Sequence, residues 1–146
     1  MLTAFIPRTH CRSGMQKFLR LEFIDSSADV GLFLLRLWLG GSMLWLHGWG
    51  KLLNLFHGKL SFGDPLGIGS TPSFLLVIFA EVICSLLLIF GLAARWAALI
   101  LGFTMGVAFF AAHNMDFKGG ELAWAYLGSC IVLFCAGPGR FSLDKK

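Results

Sequence analysis

Arg36, His47, Lys51, Glu81, His113, Asp116, Glu121 and Tyr126 place titratable or hydrogen-bonding groups in or beside long apolar runs. His47 and Lys51 lie four residues apart in "LWLHGWGKLLNLFHG" (Leu44 to Gly58), so on a helix they share a face. Glu81 interrupts "FLLVIFAEVICSLLLIFGL" (Phe74 to Leu92), and a bare charge at a bilayer centre costs at least about 2.5–3.5 kcal/mol. It must be protonated, paired or set in a wet cavity, with His47 or Lys51 as the expected partner. A carboxyl and imidazoles beside an apolar slot can hand over protons near neutral pH. Glu81, His47 and His113 are therefore the candidate catalytic residues. Arg36, Lys51, Trp49, Asp116, Glu121 and Tyr126 are the candidate binding residues.

Each has a plainer reading beside the chemical one. Glu81 could serve only as an interhelical polar contact, worth about 0.6 kcal/mol on average. Lys51 could snorkel to the interface. Glu121 suits the start of a helix, and His113 an interfacial cap. Arg36 is read mainly as snorkelling to the headgroups, with a carbonyl or a ligand oxygen as the alternatives. Trp49 is a belt residue that could stack on a flat ring. Two imidazoles and carboxylates would suit iron or zinc, but no Glu-x-x-His or His-x-x-x-His pair occurs within a helix, so no metal is expected. What favours chemistry is convergence: depth arithmetic at about 1.5 Å per residue brings these groups, Arg36 excepted, to one half of the membrane.

The elements that must position them are transmembrane helices. Of 146 residues, 57 % are hydrophobic and 14 % charged, and the mean hydropathy is +0.77, well away from a soluble domain. A span needs about 20 mostly apolar residues. Four segments meet or approach this: Val30 to Phe56, Phe74 to Leu92, Arg95 to His113 and Glu121 to Gly137. Helix is the form that satisfies its own backbone in lipid. The expected fold is all-α, an integral membrane four-helix bundle. Gly102 and Gly106 form a GxxxG in the third span and predict close packing on another helix.

Basic residues set the orientation. Arg8, Arg12, Lys17, Arg20, Arg95, Arg140, Lys145 and Lys146 fall on one side, and Lys51, Lys59 and Lys118 on the other. Both termini are expected in the cytoplasm, with the 57–73 loop outside. Residues 1–29 form a separate basic, amphipathic arm that would lie on the membrane surface, ahead of a bundle domain over 30–146. Met15 offers an alternative start, and no secretory signal is expected. Cys11, Cys84, Cys130 and Cys135 form no CxxC pair and read as small hydrophobes. No basic patch interleaved with aromatics points to nucleic acid.

The ordered set of motifs resembles the DoxX family over about residues 30–144. It comprises an Arg in the first span followed by "GWGKL" (Gly48 to Leu52), "AEVICSLLLIFGLAARWAALIL" with Glu81 and Gly91, the His113 end of the third span, "GELAWAYL" (Gly120 to Leu127) and "GPGRFSLD" (Gly137 to Asp144). The resemblance implies a four-helix bacterial inner-membrane protein. Some relatives, similar to the DoxD subunit, belong to a thiosulfate:quinone oxidoreductase, and others are linked to thiol redox homeostasis. It implies a pocket at Glu81 and the His113/Glu121 region. The leading expectation is a redox-associated component, as a subunit of a quinone-coupled oxidoreductase, binding a quinone or a small sulfur or thiol species in an outward-facing pocket. Its electrons would come from a partner redox protein, and a homo-oligomer is the other expected association. A non-enzymatic transporter, or an accessory subunit or scaffold, is the alternative.

Overall fold

The computed structural model describes residues 28–60 and 62–144. The expected surface helix of the basic arm, apart from Ala28 and Asp29, lies outside the described residues, as do Cys11, Lys145 and Lys146. Among the described residues, four helices are long and apolar enough to cross a membrane: α1 (Ala28–Phe56), α2 (Ser70–Phe90), α3 (Ala94–Ala112) and α4 (Phe117–Ala136). No strand occurs among the described residues. α1 packs on α2, α2 on α3, α3 most extensively on α4, and α4 back on α1. The protein is thus a multi-pass membrane protein with lipid-facing helices. One end of the bundle carries the 57–69 loop (the loop end) and the other carries residues 137–144 (the tail end).

The helix limits follow from local chemistry. α2 starts four residues before the expected Phe74 because Pro72 sits in its first turn, where a missing N–H costs nothing. It stops at Phe90 because Gly91 takes the left-handed conformation, φ +69°. α4 starts at Phe117, four residues before the expected Glu121. The Asp116 carboxylate accepts from Lys118 N–H and Gly119 N–H, a side-chain N-cap.

Three spans are not uniformly α-helical. Each contains a wider π-helical turn: Met43–Gly48 in α1, Phe79–Cys84 in α2 and Ala108–Ala112 in α3. In α1 and α3 the widening shows as i to i+5 bonds, Trp49 N–H to the Leu44 carbonyl and His113 N–H to the Ala108 carbonyl. Such turns break the 3.6-residue periodicity locally.

The core joins Leu39, Met43, Cys84, Leu88, Leu101 and Cys130, all at most 1 % exposed. The backbones of α1 and α2 approach closely at two glycines. A Cβ on Gly40 would lie 2.8 Å from the Ser85 carbonyl oxygen, and one on Gly48 would lie 2.8 Å from that of Glu81. In α3 the GxxxG expectation holds for Gly102, whose Cβ would meet Cys130 of α4 at 3.1 Å, but not for Gly106, which has nothing within 4 Å. Gly106 borders an apolar groove of about 490 Å³ between α3 and α4.

Arg36 corrects another expectation. It does not snorkel: it is 0 % exposed. Its guanidinium donates to the Phe141 carbonyl at 2.5 Å and the Leu88 carbonyl at 3.5 Å, and lies over the Phe33 ring. The tail turns back across the bundle to meet it. Leu143 and Asp144 N–H groups donate to the Phe90 and Gly91 carbonyls, Arg140 N–H donates to Asp29, and the Asp144 carboxylate accepts from Ala93 and Ala94 N–H at the start of α3. The tail end is too tightly closed with the chain's own carbonyls for Arg36 to need the headgroups.

Candidate functional site

Glu81 stands midway along the 21 residues of α2, about 16 Å from the helix start at Ser70 by the helical rise. That is deeper than the roughly 10 Å expected when the helix is counted from Phe74. The π turn that contains Glu81 aims it at α1, where Gly48 lets the two backbones close up. Lys51 Nζ reaches both carboxylate oxygens, at 2.5 and 2.6 Å. The glutamate is 4 % exposed and the lysine 24 %. The ammonium also lies 5.8 Å from the centre of the Phe62 ring, a weak cation–π contact. Of the two expected partners of Glu81, Lys51 is the one hydrogen-bonded to it.

This pair forms the polar wall of a cavity of about 400 Å³ between α2 and α3, beneath the 57–69 loop. Val77, Phe79, Ile100, Phe103 and Met105 supply apolar walls, and Phe62, Pro65 and Leu66 form a roof. Ser73 and Thr104 are the remaining polar side chains. Both hydroxyls are occupied: Ser73 donates to Asp64 at 2.9 Å, and Thr104 donates back to the Ile100 carbonyl at 3.0 Å. The free donor capacity of the cavity therefore sits on Lys51, whose ammonium has three N–H groups.

The roof is organised by Asp64. Its carboxylate accepts from Gly69 N–H at 2.7 Å, Ile68 N–H at 3.0 Å and the Ser73 hydroxyl. The Gly69 N–H, opposed by a smaller desolvation and joined by Ser73, Ile68 and Gly67, holds the Asp64 carboxyl below the usual carboxylate range. Ser70 Oγ ties the roof a second time, accepting from Phe62 N–H and donating to the Phe62 carbonyl. The Phe62 ring rests on Phe74, centroids 5.6 Å apart.

The other expected site residues do not line this cavity. His47 turns towards α4 and meets the Tyr126 ring edge-on at 5.8 Å. It parts from Lys51 because it lies in the π turn, where four-residue spacing no longer guarantees a shared face. Its Nε2 is buried without a hydrogen-bond partner among the described residues. His113 is exposed against the first turn of α4, Asp116 caps that helix, and Glu121 is exposed one turn in. Trp49 is half exposed on the lipid side. Arg36 is bound at the tail end. Among the described residues, no three of His, Cys, Asp and Glu gather as metal ligands. Of the cavity residues, the sequence reading singled out only Lys51 and Glu81; Phe62, Ser73, Phe79 and Phe103 are among those it missed. Only Ser73 carried a readable signal, as a hydroxyl beside Pro72 in a loop rich in turn residues.

Comparison with known proteins agrees with this architecture. The chain is 35 % identical over 112 residues to a protein of Haemophilus influenzae described as uncharacterized, covering 71 % of this chain and 81 % of that one. No solved structure matches it. The DoxX family model matches residues 31–114, which take in α1, α2, α3 and both halves of the ion pair. By that match, by the relative and by the four spans, this protein is a member of the DoxX family.

Proposed function

We propose that this protein is a redox-associated component of the bacterial inner membrane that holds a quinone head against the Lys51–Glu81 pair. The observation that carries the reading is a hydrogen-bonded ion pair, midway along a span, on the wall of an otherwise apolar cavity. A quinone needs an apolar slot for its ring and a proton donor at its oxygen. Lys51 offers an N–H to the carbonyl oxygen, and Glu81 beside it takes up or passes on the proton. The electrons come from a partner redox protein. The same geometry disfavours a small sulfur oxyanion, because Glu81 already neutralises Lys51 and the walls give an anion no other free donor. With both termini in the cytoplasm, the cavity lies in the outward half of the membrane.

A scaffold reading, in which the pair only sets the register of α1 on α2, makes a different prediction for one variant. Glu81→Gln keeps the shape and loses the charge. Under the quinone reading it folds normally and loses quinone on purification. Under the scaffold reading it keeps partner association and shows no change in bound quinone. The measurement is organic extraction of purified protein, with thermal stability as the control. A Glu81→Gln protein that retains wild-type quinone content removes Glu81 from the site.

A further inference from the structure

We infer that the cavity is entered sideways, from the hydrocarbon of the bilayer, through a mouth between Phe79 of α2 and Phe103 of α3. Its ligand is then a membrane-dissolved molecule with a carbonyl-bearing head and an apolar body. The inference rests on the reading of this cavity as a ligand site.

Three observations lead to it. First, residues that line the cavity also form the outer surface of the bundle: Phe103 is 66 % exposed, Leu76 55 % and Phe79 46 %. They lie within spans, so the medium they face is lipid tails. Second, the side towards the aqueous loop end is lined by Phe62, Pro65 and Leu66, on a loop pinned at Asp64 and Ser70. A solute arriving from water meets this roof, whereas a solute arriving from lipid meets the gap between two helices. Third, the charge arrangement selects the head. The carboxylate of Glu81 opposes a second anion, while the Lys51 ammonium retains an N–H for a neutral acceptor oxygen. A water-soluble anion or a bulky charged head matches neither the route nor the wall.

Carbonyl oxygens on an apolar body have two sources in a membrane, the quinone pool and the ester groups of the lipids themselves. The test separates them. The full chain, in a Cys11→Ser/Cys135→Ser background, is placed in phosphatidylcholine nanodiscs with either a decyl-substituted benzoquinone or a brominated phosphatidylcholine as the probe. Phe103→Cys and Ile68→Cys variants, both at exposed positions and the second on the loop but outside the cavity lining, are measured before and after capping with N-cyclohexylmaleimide. Bound probe is counted by native mass spectrometry. Capping at position 103 is expected to lower occupancy roughly tenfold, and capping at position 68 to leave it unchanged. Occupancy lost by capping at position 68, or kept after capping at position 103, overturns the lateral route. If only the brominated lipid binds and shows the dependence on position 103, the lateral route stands and the quinone reading falls. If neither probe binds the uncapped proteins, both fall.

Discussion

Lys51 keeps 24 % of its side chain accessible, whereas Glu81 keeps 4 %. The two halves of the pair should therefore respond differently to loss of the partner. Removing one member of a buried pair strands the other, at about 3–5 kcal/mol when the survivor cannot reach water. Lys51→Met strands the glutamate and should cost about 3 kcal/mol. Glu81→Leu leaves a lysine whose stem can lift its charge towards the interface, and should cost less, on the order of 1 kcal/mol. The double variant, with an apolar pair in place of the ionic one, should recover most of the loss. Unfolding of all four proteins in one detergent, read as a double-mutant cycle, checks this. Equal losses for the two single variants would mean that Lys51 is as confined as Glu81. That Glu81 should meet a basic residue of α1 was legible in the sequence, because a carboxylate inside an apolar run calls for a cation, but the sequence left His47 and Lys51 equally open as that partner. The partner of Arg36 was not legible. It is a backbone carbonyl 105 residues away, and a carbonyl has no residue type to read.

At the scale of elements, glycines separate into those that permit contact and those that do not. Gly48 lies against the Glu81 backbone, which cannot yield as a flexible side chain can. Gly48→Ala should push α1 from α2, destabilise the protein by about 1–3 kcal/mol and disturb the Lys51–Glu81 contact. Gly106 borders open space, so Gly106→Ala should be neutral or stabilising by up to about 1 kcal/mol through helix propensity alone. Thermal denaturation of the two variants side by side gives the contrast. The GxxxG in α3 is conspicuous in the sequence and Gly40 with Gly48 is not, yet the tighter seam is the latter. A glycine does not announce which face it occupies, and the π turn in α1 shifts the phase from which that face would be counted. The same shift separates His47 from Lys51. The loop makes a prediction of its own. Hydrogen bonds hold the Asp64 carboxyl below its ordinary range, so its folded value lies below its unfolded one. The stabilisation is complete above the unfolded value, about pH 3.9, and is lost as the pH falls through the folded one. Hydrogen exchange at Ile68 and Gly69 should accelerate on acidification in the wild type relative to its own rate law, and Asp64→Asn should show the faster exchange already at neutral pH.

For the whole molecule, the four spans and their antiparallel order were readable because continuous apolar length has one explanation in water and another in lipid, and these runs are too long for the first. Their placement relative to the two sides of the membrane rests on eight basic residues against three. Reporter fusions at Gly67 and after Lys146 should place the loop outside and the C-terminus inside. The reverse result would turn the cavity towards the cytoplasm and leave the lateral mouth where it is. The expected single cluster of polar groups divided instead into the ion pair at the cavity, His47 with Tyr126 between α1 and α4, and the Asp116 cap near His113. Depth arithmetic along a helix is only as good as its starting residue, as Glu81 shows, and it says nothing of azimuth, which three π turns change.

The tie between Arg36 and Phe141 has a consequence for biosynthesis. The ribosome makes the guanidinium 105 residues before the carbonyl that will hold it, an interval of about 5–20 s at ordinary elongation rates. Throughout that time the first span carries a cation whose final acceptor has not been made, so it must wait at a depth where water or headgroups still reach it. Its settling into the bundle comes only after residue 141 has been made. A chain terminated after Ala136 should therefore insert and yet be degraded in pulse-chase experiments, while an extension beyond Lys146 should leave the half-life unchanged.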